Sequence, residues 1–326
     1  MTKGIYRKRY LGLFIKVLIA IVALVFIYRE VQIKDQDTDL SFGINVLAQN
    51  LHVLLLLIVM MMLNWGLEAY KWRALVKPIE SISWWKSLKA VFSGITIALF
   101  TPNRVGEYGG RVFHLKKADR IDAVLLTIVG SYAQLVVTLV TGIVATIFYL
   151  PAYVGLGPIS PMQYNLIGLL MLGVVILLVI LFLNTRLLTT IINRFPISEK
   201  YRHYPKVFEY HSSATLGKVF LASLGRYVVF TAQFFILLHL FGVDIGYLNA
   251  LLMISMTYFV MTAVPTIAIT ELGVRGSMAV YFLGMLSANV KSIFMASSML
   301  WLINLAVPAI IGVVYIFQLR FFRKPD

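Results

Sequence analysis

The sequence predicts an all-α polytopic membrane protein of six full spans plus two oppositely oriented re-entrant helical hairpins, arranged as an inverted repeat. Three observations predict it. The chain is 60% hydrophobic and only 13% charged, where soluble domains carry about a quarter charged residues. Several apolar runs approach the ~20 residues that cross a bilayer as a helix. Lys and Arg gather between those runs in clusters that assign a side to each connection. Helix is the state of the long runs, because backbone groups in lipid must be bonded within their own segment. The alternating ten-residue strands of a membrane barrel are not seen.

The elements follow in order. Lys3, Arg7, Lys8 and Arg9 precede the first run, 11–28, which lacks a small-residue cleavage site and reads as an uncleaved first helix. Runs 50–69, 123–149, 164–183, 219–241 and 293–318 are the other full-length candidates. Runs 88–101, 248–264 and 272–286 are shorter. Basic clusters flank 88–101 on both sides: Lys71, Arg73, Lys77, Lys86 and Lys89 before or within it, and Arg104, Arg111, Lys116, Lys117 and Arg120 after it. A crossing there would put one cluster outside, against the positive-inside rule. A hairpin that enters from the cytoplasm and turns at Pro102 avoids this. Downstream, 150–162 is uncharged and reads as outside, whereas 184–218 and the tail with Arg320, Arg323 and Lys324 read as inside. The two short runs joined at Pro265 therefore form a second hairpin, entered from the outside. Of the 29 Lys and Arg residues, only Arg29, Lys34 and Lys291 then fall outside, and only Lys16, Arg226 and Arg275 fall within spans. Both termini are cytoplasmic.

The whole chain, 1–326, reads as a single integral membrane domain, with a first repeat over 50–149 and a second, inverted, over 219–318. Helices 11–28 and 164–183 are peripheral or connecting. Broken helices at the interface of inverted repeats are a recurrent plan for moving a substrate across a bilayer.

Composition also excludes chemistry. Cysteine is absent, so disulfides and thiolates are excluded. The five His residues make no metal-binding pattern, and no cofactor is expected. The net charge of +15 flanks apolar spans, so anionic lipid and topology account for it and nucleic acid does not.

Two stretches carry the same chemistry. The first is Pro102-Asn103-Arg104-Val105-Gly106-Glu107-Tyr108-Gly109-Gly110-Arg111. The second is Pro265-Thr266-Ile267-Ala268-Ile269-Thr270-Glu271-Leu272-Gly273-Val274-Arg275-Gly276. Each has Pro after an apolar run, then Glu and Arg four residues apart, on one helix face, with Gly around them. Charges at membrane depth are costly and point to a site. Pro ends the incoming helix and Gly lets backbones approach. Arg104, Arg111 and Arg275 offer forked donors suited to phosphate, with Glu107 and Glu271 as partners. The same pairs also read as internal salt bridges that pin the hairpins. Arg226, within a span, completes the candidate site. Asn64, Gln134, Gln233 and Asn304 read as interhelical hydrogen bonds, Glu68 as an interfacial pair with Lys71 and Arg73, and Trp65, Trp72, Trp84 and Trp85 as interfacial aromatics.

The two motifs together resemble the flippase-like domain family of the lysylphosphatidylglycerol synthase transmembrane region, and the likeness covers almost the whole chain. Many members run Gly-Leu-Gly-Val-Arg-Glu at the second motif. Here Glu271 precedes Leu272-Gly273-Val274-Arg275, and Gly276 follows. The resemblance implies a polytopic microbial membrane protein linked to moving lipids between leaflets. The aminoacyl transferase domain of the full synthases is not expected, since only a short basic tail follows residue 318. The expected function is that of a flippase or scramblase of the cytoplasmic membrane. Its substrate would be an anionic phospholipid or a polyprenyl-phosphate-linked glycan, its partners cell-envelope biosynthesis enzymes, and Arg111 and Arg275 would hold the phosphate. A membrane enzyme acting on a lipid-linked substrate and a non-transporting cell-envelope scaffold are the alternatives.

Overall fold

The computed structural model describes residues 40–101, 104–155, 204–264 and 268–319, and most of 11–29 and 159–190. The described residues are helical with connecting turns. The helices are α1 (Leu13–Val22), α2 (Leu40–Gln49), α3 (Leu51–Val76), α4 (Trp84–Ala98), α5 (Gly106–Val112), α6 (Arg120–Tyr149), α7 (Pro161–Leu183), α8 (Ser213–Leu240), α9 (Tyr247–Ala263), α10 (Ala268–Leu283), α11 (Val290–Trp301) and α12 (Val307–Ile316). A π-helical segment, Leu302–Ala306, joins α11 to α12.

Among the described residues five helices are long and apolar enough to cross a membrane: Leu51–Val76, Arg120–Tyr153, Pro161–Leu183, Ser213–Leu240 and Val290–Ile316. They correspond to the expected spans 50–69, 123–149, 164–183, 219–241 and 293–318. The expected first span, 11–28, is represented by the shorter apolar helix α1. Helix α2 falls where the sequence reads as an outer connection. Its period of apolar residues is short, but Leu47 is buried and the helix packs on α3 and α11. Helix α3 runs past residue 69 to Val76, because no breaker comes before Pro78 and Trp72 and Leu75 are buried.

Caps fix several starts. Ser83 accepts from the Lys86 N–H at α4. Ser160 and Gln163 form a capping box at α7, with Pro161 in the first turn. Ser212 caps α8 and Asn289 caps α11.

Both expected short-run pairs are helix pairs packed on themselves, α4 with α5 and α9 with α10. Pro102 and Pro265, expected as their turns, lie outside the described residues. The returning arm of the first pair is short, a seven-residue helix. It is closely packed: a Cβ on Gly110 would lie 2.6 Å from the Gly94 Cα. His114 Nε2 closes the base of the pair, 2.8 Å from Ser93 Oγ.

Packing partners exchange between the halves. Helix α3 packs on α8. Helix α4 packs on α12, and its counterpart α9 packs on α6. The contacts α3–α4, α3–α6 and α5–α6 have their equivalents in α8–α9, α8–α11 and α10–α11. Even the flanking helices correspond: α2 sits against α3 and α11, and α7 against α8 and α6. Helix α7 is nonetheless mostly exposed, with Phe182 its buried residue.

The α4–α12 crossing is a close one. A Cβ on Gly312 would lie 2.1 Å from the Phe92 carbonyl oxygen and 2.2 Å from Thr96 Oγ1. Thr96 Oγ1 donates across the crossing to the Ala309 carbonyl, 2.8 Å away. Backbone cannot yield as a flexible side chain does, so Gly312→Ala must push the helices apart. We expect it to cost about 1–3 kcal/mol, read as a lower midpoint in thermal denaturation of the detergent-solubilised protein. Gly168→Ala, with nothing within 4 Å of the added methyl, should be neutral in the same assay.

Candidate functional site

A buried charge cluster lies where α3, α5 and α8 meet. Its centre is Glu68 on α3, 4% exposed. Its Oε2 lies 2.9 Å from Lys71 Nζ, one turn along the same helix. Its Oε1 accepts from Arg111 Nη1 of α5 at 2.8 Å. Arg226 Nη1 of α8 donates to Glu68 Oε2 as well. Arg111 Nη2 donates in turn to Glu107 Oε1, four residues back on α5. Two carboxylates, Glu68 and Glu107, therefore face three cations, Lys71, Arg111 and Arg226, which leaves one positive charge in surplus. Isolated charges in this setting would be prohibitive, and pairing is what makes them tolerable.

This corrects one expectation directly. Glu68 is paired with Lys71 as expected, but the pair is buried rather than interfacial, and Arg73 is not part of it. Lys71 is 1% exposed, and Arg73 instead donates through Nε to the Ile82 carbonyl at 3.1 Å. Trp65 and Trp72, expected at the interface, are buried at 4% and 1% exposure, whereas Trp85 is exposed. Their indole N–H groups explain the burial, since each has found an acceptor: Asn304 O at 3.1 Å and Thr127 Oγ1 at 3.0 Å.

The Trp65 contact rests on a proline. Pro308 has no N–H to donate to the carbonyl four residues earlier, that of Asn304. The helix widens into its π segment here, and the orphaned carbonyl accepts from Trp65. Asn304 also meets Asn64 Nδ2 at 3.5 Å. Gln233 Nε2 donates to the Leu57 carbonyl at 2.9 Å. The expected interhelical amide bonds are thus present.

Arg226 reaches beyond the cluster. Its Nε donates to Asn64 Oδ1 at 2.9 Å, and Nη1 lies 3.5 Å from Gln134 Oε1. Its guanidinium carbon lies 5.1 Å from the centre of the Trp65 ring, within cation–π range. On its other side Arg226 lines a cavity of about 720 Å³. Arg104 from the tip of the first pair and Arg275 from α10 line the same cavity. No carboxylate is among its described lining residues. A volume of this size is that of a ligand pocket, and three of its lining side chains are guanidinium groups, the side chains best matched to planar oxyanions. Arg104 holds a left-handed backbone, φ 60°. That conformation costs a non-glycine residue about 1–2 kcal/mol and is concentrated at functional positions.

A family model described as the lysylphosphatidylglycerol synthase TM region matches residues 13–312. The chain belongs to this family. None of the curated proteins compared with it matches. Family membership and the apolar helices make it a multi-pass membrane protein of lipid-related function.

Within this family member, the expected site residues separate. Glu107 and Arg111 are paired, as their spacing implied, but Arg111 is 2% exposed and is not among the residues that line the cavity. Arg104, Arg226 and Arg275 do line it. The side chain of Glu271 lies outside the described residues. Sequence reasoning missed Glu68 as the hub. A signal was there: Asn64, Glu68 and Lys71 share one face of α3 at spacings of four and three. Tyr258 and Trp301 were missed entirely and also line the cavity.

A second anchored carboxylate lies outside the spans. Glu80 Oε2 accepts from the backbone N–H groups of Lys116, Lys117 and Ala118 at 2.8, 2.7 and 3.2 Å, and its Oε1 accepts from Lys86 Nζ at 2.7 Å. It ties the loop after α3 to the base of the α4–α5 pair. Burial opposes its ionisation, but Lys86 and the three N–H groups outweigh that and hold it at about 2, below its ordinary 4.5. A depressed folded-state value stabilises above the unfolded value and is lost as pH falls through the folded one. The melting-temperature gap between wild type and Glu80→Gln should therefore be widest above pH 4.5 and shrink as pH falls toward 2. A gap independent of pH would mean the carboxylate charge is not what anchors the loop.

Proposed function

We propose that the protein is a lipid flippase or scramblase that moves a phosphate-headgroup lipid, or a polyprenyl-phosphate-linked one, between leaflets of the cytoplasmic membrane. The observation that carries this is the cavity of about 720 Å³ lined by Arg104, Arg226 and Arg275, with contributions from both halves of the chain. A phosphate enters it and the acyl or prenyl tails remain in lipid. The exchange of packing partners between 50–149 and 219–318 supports an inverted repeat, and the positive-inside count supports cytoplasmic termini and hairpins entered from opposite sides. In such a repeat the site lies at the interface of the halves and opens to one side at a time.

Arg226 supplies the device for release. It is shared between the Glu68 cluster and the cavity. An incoming phosphate competes with Glu68 for its donors, while Lys71 and Arg111 keep Glu68 paired. Binding is thereby strong enough to draw the headgroup in and weak enough to let it leave, as conduction requires. Arg111, buried and bonded to both carboxylates, positions the cluster and does not touch the substrate. Movement is passive or coupled to an ion gradient.

The test is reconstitution into vesicles with fluorescent lipids whose outer-leaflet population is bleached chemically. Anionic, zwitterionic and polyprenyl-phosphate lipids should include at least one that crosses faster than in protein-free vesicles. Rates equal to protein-free vesicles across the whole panel would reject transport.

A further inference from the structure

We propose that Met285 is a reversible oxidation site whose sulfoxide latches the second half of the chain to α6 through Tyr149. The site stands on its own geometry. Its effect on lipid movement rests on the transport reading above.

Two hydroxyl groups of α6 meet sulfur across the seam between the halves. Thr146 Oγ1 donates to Met256 Sδ of α9 at 3.4 Å. Near the end of α6, Tyr149 Oη donates to Met285 Sδ at 3.3 Å, in the connection that follows α10. A thioether is a weak acceptor, so both bonds hold the seam softly, which suits halves that move against each other.

The two sulfurs differ in access. Met256 is 6% exposed and Met285 is 42% exposed. Met285 stands in a polar connection, with Ser287 and Asn289 after it, so an aqueous oxidant reaches its sulfur. Its backbone is fixed in the turn that closes α10, where its N–H donates to the Phe282 carbonyl at 3.3 Å. Tyr149 is buried. Its ring stacks on Tyr153 and meets Phe282 edge-on, both with centroids 5.7 Å away. The donor is therefore held in place, and the acceptor is the partner that chemistry can change.

The oxidant is a peroxide. A lone pair of Sδ attacks one peroxide oxygen, and the S–O bond forms as the O–O bond breaks. The proton on the transferred oxygen passes to the departing hydroxide, which leaves as water. Sulfur is oxidised by two electrons and the peroxide is reduced by two. The product is a polar sulfoxide that reductases return to the thioether. Tyr149 then donates to oxygen in place of sulfur, and the seam stiffens.

The test treats the full chain in detergent with hydrogen peroxide and reads its peptides by mass spectrometry. Met285 should gain one oxygen at doses that leave Met256 unmodified. Reconstituted wild type should then move fluorescent lipid about fivefold more slowly, the equivalent of one ordinary hydrogen bond. Methionine sulfoxide reductases of both stereospecificities should restore the rate. Tyr149→Phe removes the donor and Met285→Leu removes the sulfur, and peroxide should leave the rate of each unchanged. Met162, 84% exposed, is oxidised as well, so Met162→Leu should respond to peroxide as wild type does. Met285 left unmodified, a modified wild type at full rate, or equal slowing in either seam variant overturns the latch and leaves transport standing. Should Tyr149→Phe fail to fold, Met285→Leu decides alone. If wild type moves no lipid, the transport reading falls and melting temperature decides the latch. Peroxide should then raise the midpoint of wild type by about 2 °C relative to Met285→Leu, and equal shifts discard it.

Discussion

Glu68→Gln should be the most destabilising polar substitution in the protein. The substitution preserves shape and removes one negative charge. The cluster then holds Lys71, Arg111 and Arg226 against Glu107 alone, two charges in surplus, with Lys71 and Arg111 at 1% and 2% exposure and no route to solvent. Breaking a buried pair in this way costs roughly 3–5 kcal/mol, a large fraction of any domain's stability. The measurement is the thermal denaturation midpoint in detergent, with size-exclusion profile as a second readout. Lys71→Met placed in the Glu68→Gln background should recover part of the loss, since it removes a cation that no longer has a partner. A Glu68→Gln protein as stable as wild type would mean the cluster does not organise the meeting of α3, α5 and α8.

Arg226→Gln should behave in the opposite manner: nearly normal stability and a large loss of transport. Arg226 is the surplus cation, so its removal leaves Glu68 and Glu107 matched against Lys71 and Arg111. The cavity loses the guanidinium that connects it to the cluster. We expect the rate for an anionic lipid to fall on the order of 10–100-fold, the equivalent of one charge-assisted hydrogen bond. Arg226→Lys should recover only part of this, because one ammonium cannot bond Asn64, Glu68 and Gln134 in the planar geometry that the guanidinium uses. Vesicle transport and melting temperature measured on the same preparations separate the two effects. Transport unchanged in Arg226→Gln would remove Arg226 from the substrate path.

The contrast between these two substitutions turns on one charge count, and only half of that count was legible in the chain. Glu107 and Arg111 are four residues apart, and a helix alone brings them together. Asn64, Glu68 and Lys71 share a helix face for the same reason. That Glu68 meets Arg111 and Arg226, 43 and 158 residues away, is decided by how α8 packs on α3 and by how α4 and α6 hold α5 beside them.

The sequence by itself determined the membrane class, five of the six long helices it predicted and the two helix pairs. Hydropathy, proline and charge placement are local quantities and can be read along the chain. It did not determine which apolar faces are inside. Lipid is as apolar as a protein core, so a tryptophan buried against a neighbouring helix and one facing lipid leave the same trace in hydropathy. Tertiary structure alone decided that Trp65 and Trp72 are internal and that Trp301 keeps an unanswered donor beside the cavity. It also withdrew Arg111 into a salt bridge while Arg104, Arg226 and Arg275 remained at the cavity wall. Those distinctions are made by helix–helix contacts, where each polar group must find a partner or a ligand.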